Sequence, residues 1–308
     1  MNGVRAPFSE QALGENHSDS PVPAFSSTKN DERRVYPSPR QLLEKYGLRA
    51  KKSWGQNFLG DEEILDHIAR LAVDRPGERV VELGAGLGHL TARLLARGAE
   101  VIAVERDRDL AAVLRGELGE RIQLVEADAA RLDYLPLARG DKLAVVGNLP
   151  YHLTSPILFG LLDQSDLLSR AVLLVQREVA ERLAAEPGTK AWGLLSVLLQ
   201  HRARVSIERR VPAGAFLPPP KVESAVLRLA FGPARAPVAD AARFRRLVKA
   251  GFAQRRKVLA NSLAAGRIAP VDALALALGK AGIDARRRGE TLTVEEWAAL
   301  DRALGATE

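Results

Sequence analysis

The sequence predicts an α/β chain, a doubly wound and mostly parallel sheet followed by a small all-helical C-terminal domain. Three observations carry that reading. From about Pro39 to Gly232, short apolar runs ending in glycine or acidic residues alternate with helical patterns. One of those runs, Val80 to Leu83, passes directly into Gly84, Gly86 and Gly88 and then into a helix. After the linker Gly232 to Pro237 the chain turns Ala-, Leu- and Arg-rich, with helical spacing at Phe244, Leu247, Val248, Phe252 and Leu259.

Residues 1–37 mix Ser, Pro, Asn, Asp, Glu and Arg without periodicity and are expected to form a disordered N-terminal extension. Its acids and its lack of a continuous apolar segment argue against a targeting peptide. Residues 38–232 are expected to form the sheet domain and residues 238–308 the helical domain. Within the first, Asp61 is placed to N-cap a helix over Glu62 to Val73. The strands expected next are Val80 to Leu83, Glu100 to Val104, Arg121 to Val125 and Lys142 to Gly147. Helical patterns follow at Ser155 to Leu162 and Arg177 to Ala185, and the last strands, including Ala225 to Phe231, suit antiparallel pairing.

Composition sets outer limits. With 308 residues, 46% hydrophobic, the chain can bury one sizeable core and a smaller companion. No run is long and apolar enough to span a bilayer, so no membrane partner is expected. A cytoplasmic location and a monomeric state are separate expectations. The absence of cysteine excludes disulfides and thiolate metal sites, and the five histidines at 17, 67, 89, 152 and 201 show no ligand spacing, so no metal is expected. A net charge of +7 suits a polyanionic partner. Arg202, Arg204, Arg209 and Arg210 flank one strand, Arg245, Arg246, Lys249, Arg255, Arg256 and Lys257 crowd a helical stretch, and Arg286, Arg287 and Arg288 follow. With Lys51 and Lys52 these would offer phosphate contacts over both domains. Arginine-rich surfaces are also often only solvated faces.

The most specific chemical signal is Asn148-Leu149-Pro150-Tyr151 at the end of an apolar strand. The amine of adenine is a poor nucleophile because its lone pair is delocalised into the ring. The Asn148 side-chain oxygen and the Leu149 carbonyl can each accept one of its protons, Pro150 restricts the backbone that presents that carbonyl, and Tyr151 can stack on the base. Taken alone, the same four residues fit an ordinary strand-to-turn exit. The glycine turn reads GxGxG, with His89 where a dinucleotide fingerprint wants glycine, which favours S-adenosylmethionine over NAD. Glu105 then ends the next strand at the distance where a carboxylate meets ribose hydroxyls, and Asp128 follows the third strand where it can accept from an adenine amine. In-line methyl transfer without a covalent enzyme intermediate is expected, since no nucleophile and base pair is evident.

Lys51 to Leu59, Val80 to Thr91, Gly147 to Tyr151, Phe216 to Ser224, Phe252 to Lys257 and Thr291 to Trp297 occur in one order, and together they resemble the small-subunit ribosomal RNA adenine dimethyltransferases, KsgA/RsmA. The likeness runs from about Pro39 to the end. It implies a Rossmann-like S-adenosylmethionine-dependent methyltransferase sheet, and dimethylation of two adjacent adenosines in a hairpin near the 3′ end of 16S ribosomal RNA. The implied partner is the immature small ribosomal subunit. By position it assigns cofactor contacts to Asn57, Leu59, Gly84, Glu105, Asp128 and Asn148. It also gives Phe216 the task of sandwiching the target base opposite Tyr151; from the residues alone, Phe216 filling the core beneath the prolines is an equal reading. Two segments depart from the usual pattern, Trp54 and Ala191 to Leu194. An adenine-N6 methyltransferase of DNA or of another RNA, and a non-catalytic RNA-binding assembly factor, are the competing readings.

Overall fold

Hydrophobic runs too short for helices and too continuous for a solvent-facing sheet set the architecture. The computed structural model describes residues 36–306. The expected disorder of residues 1–35 therefore lies outside the described residues, whereas Tyr36 and Pro37, assigned to the same extension, are packed against the domain: the Tyr36 hydroxyl donates to the Leu87 carbonyl at 2.7 Å.

The described chain opens with α1 (Pro39–Lys45), capped reciprocally by Ser38 and Gln41. Then come β1 (Phe58–Leu59) and α2 (Glu62–Ala72), the latter capped by Asp61 as expected. Next are β2 (Arg79–Leu83), α3 (His89–Ala96), β3 (Glu100–Val104), α4 (Arg108–Leu118), β4 (Ile122–Val125), the short α5 (Leu135–Ala138) and β5 (Leu143–Asn148). They are followed by α6 (Thr154–Asp163), β6 (Leu168–Gln176), α7 (Arg177–Leu183), α8 (Leu194–Arg202), β7 (Ala203–Val211), β8 (Phe216–Leu217) and β9 (Ser224–Phe231). Helices α9 (Ala241–Ala253), α10 (Leu259–Ala265), α11 (Val271–Lys280) and α12 (Val294–Gly305) complete the chain.

Seven strands form one sheet in the order β4-β3-β2-β5-β6-β9-β7, parallel from β4 to β6 and antiparallel at β9 and β7. Strands β2 and β5 are almost wholly buried because helices cover both sheet faces. Side chains alternate between two apolar layers: Val81, Leu83 and Val145 face one, while Val80, Ala144 and Val146 face the other. From β2 the chain moves outward to β3 and β4, then returns to place β5 on the other side of β2. The strand order reverses there, which makes the gap beyond the tips of β2 and β5 the crevice where such sheets bind ligands.

The linker at 232–237 is not a packing boundary. Trp192, Val197 and Leu198 of the sheet domain share one apolar cluster with Phe244, Leu247 and Trp297 of the helical segment, and Trp192 Nε1 donates to the Leu292 carbonyl at 3.1 Å. Everything from Tyr36 onward belongs to one compact unit. A segment of about 70 residues buries a smaller share of its surface than a large domain does, and these helices extend their core onto α8.

Candidate active site

A cleft of about 340 Å³ opens at the reversal point, within the size range of small-molecule sites. Asn57, Gly84, Glu105, Asp128, Asn148 and Tyr151 line it, together with Leu149 and Pro150. Residues from five separated segments of the chain thus meet in one cleft.

The two strand tips approach unusually closely. A Cβ on Gly147 would lie 2.6 Å from the Leu83 carbonyl oxygen, so only glycine lets β5 run this near the start of the turn after β2. Gly84 and Gly86 take φ of +69° and +61°, backbone that side chains bearing a Cβ rarely adopt. The turn therefore leaves open backbone beside Asn148, whose carbonyl oxygen is 3.9 Å from the place a Gly84 Cβ would occupy.

Asn148 is pinned by its own amide. Its Nδ2 donates to the Asn57 carbonyl at 2.8 Å, which orients the group, and Oδ1 has no hydrogen-bond donor among the described residues. Asn57 in turn donates from Nδ2 to the Gly55 carbonyl at 3.0 Å. The Leu149 side chain is buried in the core and its N–H donates to Leu174 at 3.1 Å, so the backbone carrying the Leu149 carbonyl is anchored on both sides. The Tyr151 hydroxyl shares a 2.8 Å hydrogen bond with Ser224 Oγ, and burial raises the phenol above its ordinary pKa, keeping it neutral.

Glu105 is buried, with Oε2 accepting from the Gly86 N–H at 2.9 Å and Oε1 from the Asp107 N–H at 2.8 Å. Burial raises its pKa, partly offset by these backbone donors. It thus braces the glycine turn as well as facing the cleft. Asp128 caps the turn after β4, accepting from the Ala130 N–H at 3.0 Å, and pairs with Arg106 at 3.3 Å. Behind the turn, Glu82 is fully buried, accepts from the Thr91 hydroxyl at 2.6 Å, and is pushed up to about 8 by burial. Tyr36 and His89 hold the turn from outside: Pro37 accepts from His89 Nε2 at 2.9 Å, and burial lowers the imidazole to about 4, so it stays neutral.

The segment from Lys51 to Asn57 is tied to the N-terminus of α4. Lys51 Nζ donates to Asp107 at 2.7 Å and Asp109 at 2.8 Å, while Gln56 Nε2 donates to the other Asp107 oxygen at 2.8 Å. Those hydrogen bonds hold the Lys51 ammonium above its usual pKa. Trp54, half-exposed on the cleft wall, lies with Lys51 Nζ and the Arg106 guanidinium 5.3 and 5.5 Å from its ring centre, within cation–π range of both.

Several expectations need correction. Phe216 does not reach the cleft; it is 5% exposed, packs with Leu59, Val211 and Val226, and pairs with Leu59 across the two-stranded β1–β8 ribbon. Burying both apolar side chains against α2 outweighs exposing either of them to solvent. Leu59 is likewise absent from the cleft wall and serves to anchor the segment that carries Asn57. Lys51 is committed to two carboxylates rather than offered to phosphate. Among the arginines, Arg202, Arg209, Arg245, Arg255, Arg286 and Arg287 are paired with Asp166, Glu63, Asp163, Glu290, Asp284 and Glu296. Sequence reasoning missed Gln56, Asp107 and Ser224 as site supports. Asp107 carried the only readable signal, an acid preceding a helical run.

The family model described as "Ribosomal RNA adenine dimethylase" matches residues 47–302. A protein from Anaeromyxobacter dehalogenans (strain 2CP-C) named "Ribosomal RNA small subunit methyltransferase A" is 68% identical over 280 residues, covering 88% of this chain and 99% of that relative. Its namesake from Myxococcus xanthus (strain DK1622) is 54% identical over 270 residues, covering 87% and 95%. The crystal structure of the 23S rRNA methyltransferase ErmE aligns with a TM-score of 0.64 at 29% identity, covering 81% of this chain and all of that one. A dimethyladenosine transferase from Plasmodium falciparum, at 23% identity and a TM-score of 0.66 over 79% of this chain and 95% of that one, shares the fold. With these matches spanning sheet, cleft and helical segment alike, the chain belongs to the ribosomal RNA adenine dimethylase family.

Proposed function

We propose that this protein transfers methyl groups to the N6 amine of two adjacent adenosines in a hairpin near the 3′ end of small-subunit ribosomal RNA, during assembly of that subunit in the cytoplasm, acting as a monomer. One observation carries the reading. At the tip of β5, Asn148 Oδ1 is held free by the Nδ2 bond to Asn57, beside a glycine turn in left-handed backbone. An oriented amide oxygen that accepts from no donor among the described residues, next to the Leu149 carbonyl, is a two-acceptor cradle for an exocyclic NH₂.

The residues present fit S-adenosylmethionine. The glycine turn admits close backbone approach, the buried Glu105 suits a pair of ribose hydroxyls, Asp128 suits an adenine amine, and Asn57 lies beside Asn148 for the methionine portion. When bound, that group supplies a methyl already activated by positive sulfur. The chain's own work is then to bind and orient. Asn148 and Leu149 draw the amine lone pair out of conjugation as the nitrogen pyramidalises, and Tyr151 stacks on the base extruded from the RNA. Water as proton acceptor is sufficient, because the methylated nitrogen is strongly acidic until it loses its proton.

The test is transfer of labelled methyl from S-adenosylmethionine to immature small subunits, with duplex DNA and large-subunit RNA as competing acceptors. Label at two adjacent adenosines of the small-subunit RNA is expected. Label in DNA, label in large-subunit RNA, or none at all would overturn the proposal.

A further inference from the structure

The proline-rich segment from Phe216 to Ser224 is one the sequence singled out, yet Phe216 is spent on the core. Its far end is more telling. Ser224 opens β9, facing Gln176 of β6 and Val211 of β7, and is completely buried beside Ala225 and Val226. A hydroxyl in such a place must be satisfied. The hydrogen bond its side chain makes among the described residues is to the Tyr151 hydroxyl, at 2.8 Å across 73 residues of sequence. For packing alone, alanine would serve as well at this position. The serine is also held firmly: the preceding Glu223 accepts the Arg177 N–H at 3.0 Å through its carbonyl and pairs with the Arg177 guanidinium at 2.6 Å.

Tyr151 lies in a single turn between Pro150 and α6, and its ring is only half-buried on the cleft wall. Backbone position alone leaves such a ring free to tilt about its side-chain torsions. A stacking partner is useful only when its plane is held parallel to the base. Building on the proposed function, we infer that Ser224 is a positioning residue that fixes the direction of the Tyr151 ring axis through their shared hydrogen bond, the in-plane preference of the phenol O–H then biasing the ring's tilt, and so sets productive seating of the target nucleobase. The proline-rich segment therefore contributes to the site through its terminal serine, while its phenylalanine closes the core beneath.

The experiment uses the full chain and four variants, Ser224→Ala, Tyr151→Phe, the two combined, and Tyr151→Ala. Each is assayed for methyl transfer to small-subunit RNA, for melting temperature and for affinity toward S-adenosylhomocysteine. Ser224→Ala and Tyr151→Phe are each expected to lower kcat/KM for RNA about tenfold, the loss of one oriented hydrogen bond, and the double variant is expected to be no worse than either single one. Affinity for S-adenosylhomocysteine stays at the wild-type value, which separates lost positioning from a general disturbance of the site. Wild-type kcat/KM in folded Ser224→Ala, or losses that multiply to about a hundredfold in the double variant, would overturn the inference. If Ser224→Ala does not fold, Tyr151→Phe decides, and an unchanged kcat/KM there is fatal. Tyr151→Ala separates the two levels of argument. Wild-type turnover in that variant sinks the stacking role of Tyr151 itself, whereas its collapse beside an unaffected Ser224→Ala sinks only the role of Ser224.

Discussion

Asn148 is held by a backbone carbonyl, Asn57, that no side-chain substitution removes, so its own amide is the group to delete. Asn148→Ala is expected to reduce the rate of methyl transfer by about 10²-fold or more, the usual cost of removing one oriented group that acts as charge develops. The melting temperature should barely change, because Asn148 is at the strand's solvent end; equal turnover in the two proteins would take Asn148 out of the chemistry. A second residue-scale prediction concerns pH. Glu82, raised from 4.5 to about 8 by burial, keeps a proton that the unfolded chain has lost. Raising pH between those values therefore favours unfolding. His89, lowered from 6.5 to about 4, acts in the opposite sense, since the unfolded chain gains a proton as pH falls through that window. Above about pH 6.5 only the glutamate slope remains of the two. Glu82→Gln, which can still accept from Thr91, should gain stability over wild type between pH 6.5 and 8, by more than about 1 kcal/mol. Denaturant titrations at the two pH values check this, and a difference that does not change with pH would refute it.

At the scale of elements, the site is a meeting of two strand tips. β2 and β5 neighbour one another because the chain reverses direction across the sheet, and Gly147 permits them to close on the glycine turn. Gly147→Ala places a carbon 2.6 Å from the Leu83 oxygen, so the strands must part. A loss of roughly 1–3 kcal/mol in stability is expected, the usual range for overpacking. A weakened affinity for S-adenosylhomocysteine, read by calorimetry, should accompany it. Wild-type affinity in the folded variant would mean that the close approach does not shape the cleft. The tie from Lys51 and Gln56 to Asp107 belongs to the same scale, since it docks one wall of the cleft on the first turn of α4.

For the whole molecule, charge and packing divide the arginines into two populations. Arg243, Arg245, Arg255 and Arg287 are engaged within the protein; Arg255 donates to the Lys190 and Trp192 carbonyls as well as to Glu290 and so fastens the helical segment to the sheet domain. Arg246, Lys249, Arg256 and Lys257 are exposed and form no ion pair among the described residues. Arg256→Ala should lower the slope of log affinity against log salt for small-subunit RNA by about 1, one phosphate contact. Arg245→Met, which removes a charge already paired with Asp163 and stacked on Phe159, should leave that slope unaltered. Equal slopes for the two variants would reject the division. The shared core around Trp192 and Trp297 also predicts a single thermal transition for the intact chain.

Local order was legible without coordinates. An apolar run, the glycines after it, an acid closing the next strand and Asn148 to Tyr151 after a later one each announce themselves within a few residues, because strand period, turn chemistry and capping are short-range effects. That is why Gly84, Glu105, Asp128 and Asn148, which line one cleft, could each be singled out locally, and why Asp61 could be placed as a cap. What the folded chain alone decided were matters of partner choice between distant segments. Phe216 goes inward and Ser224 toward Tyr151, Lys51 turns to Asp107, Trp54 takes a place on the cleft wall, and the helical segment closes its core on α8. Burial and hydrogen-bond satisfaction are settled by which surfaces meet in three dimensions, and a residue's type states only what it needs, not which of many distant groups will supply it.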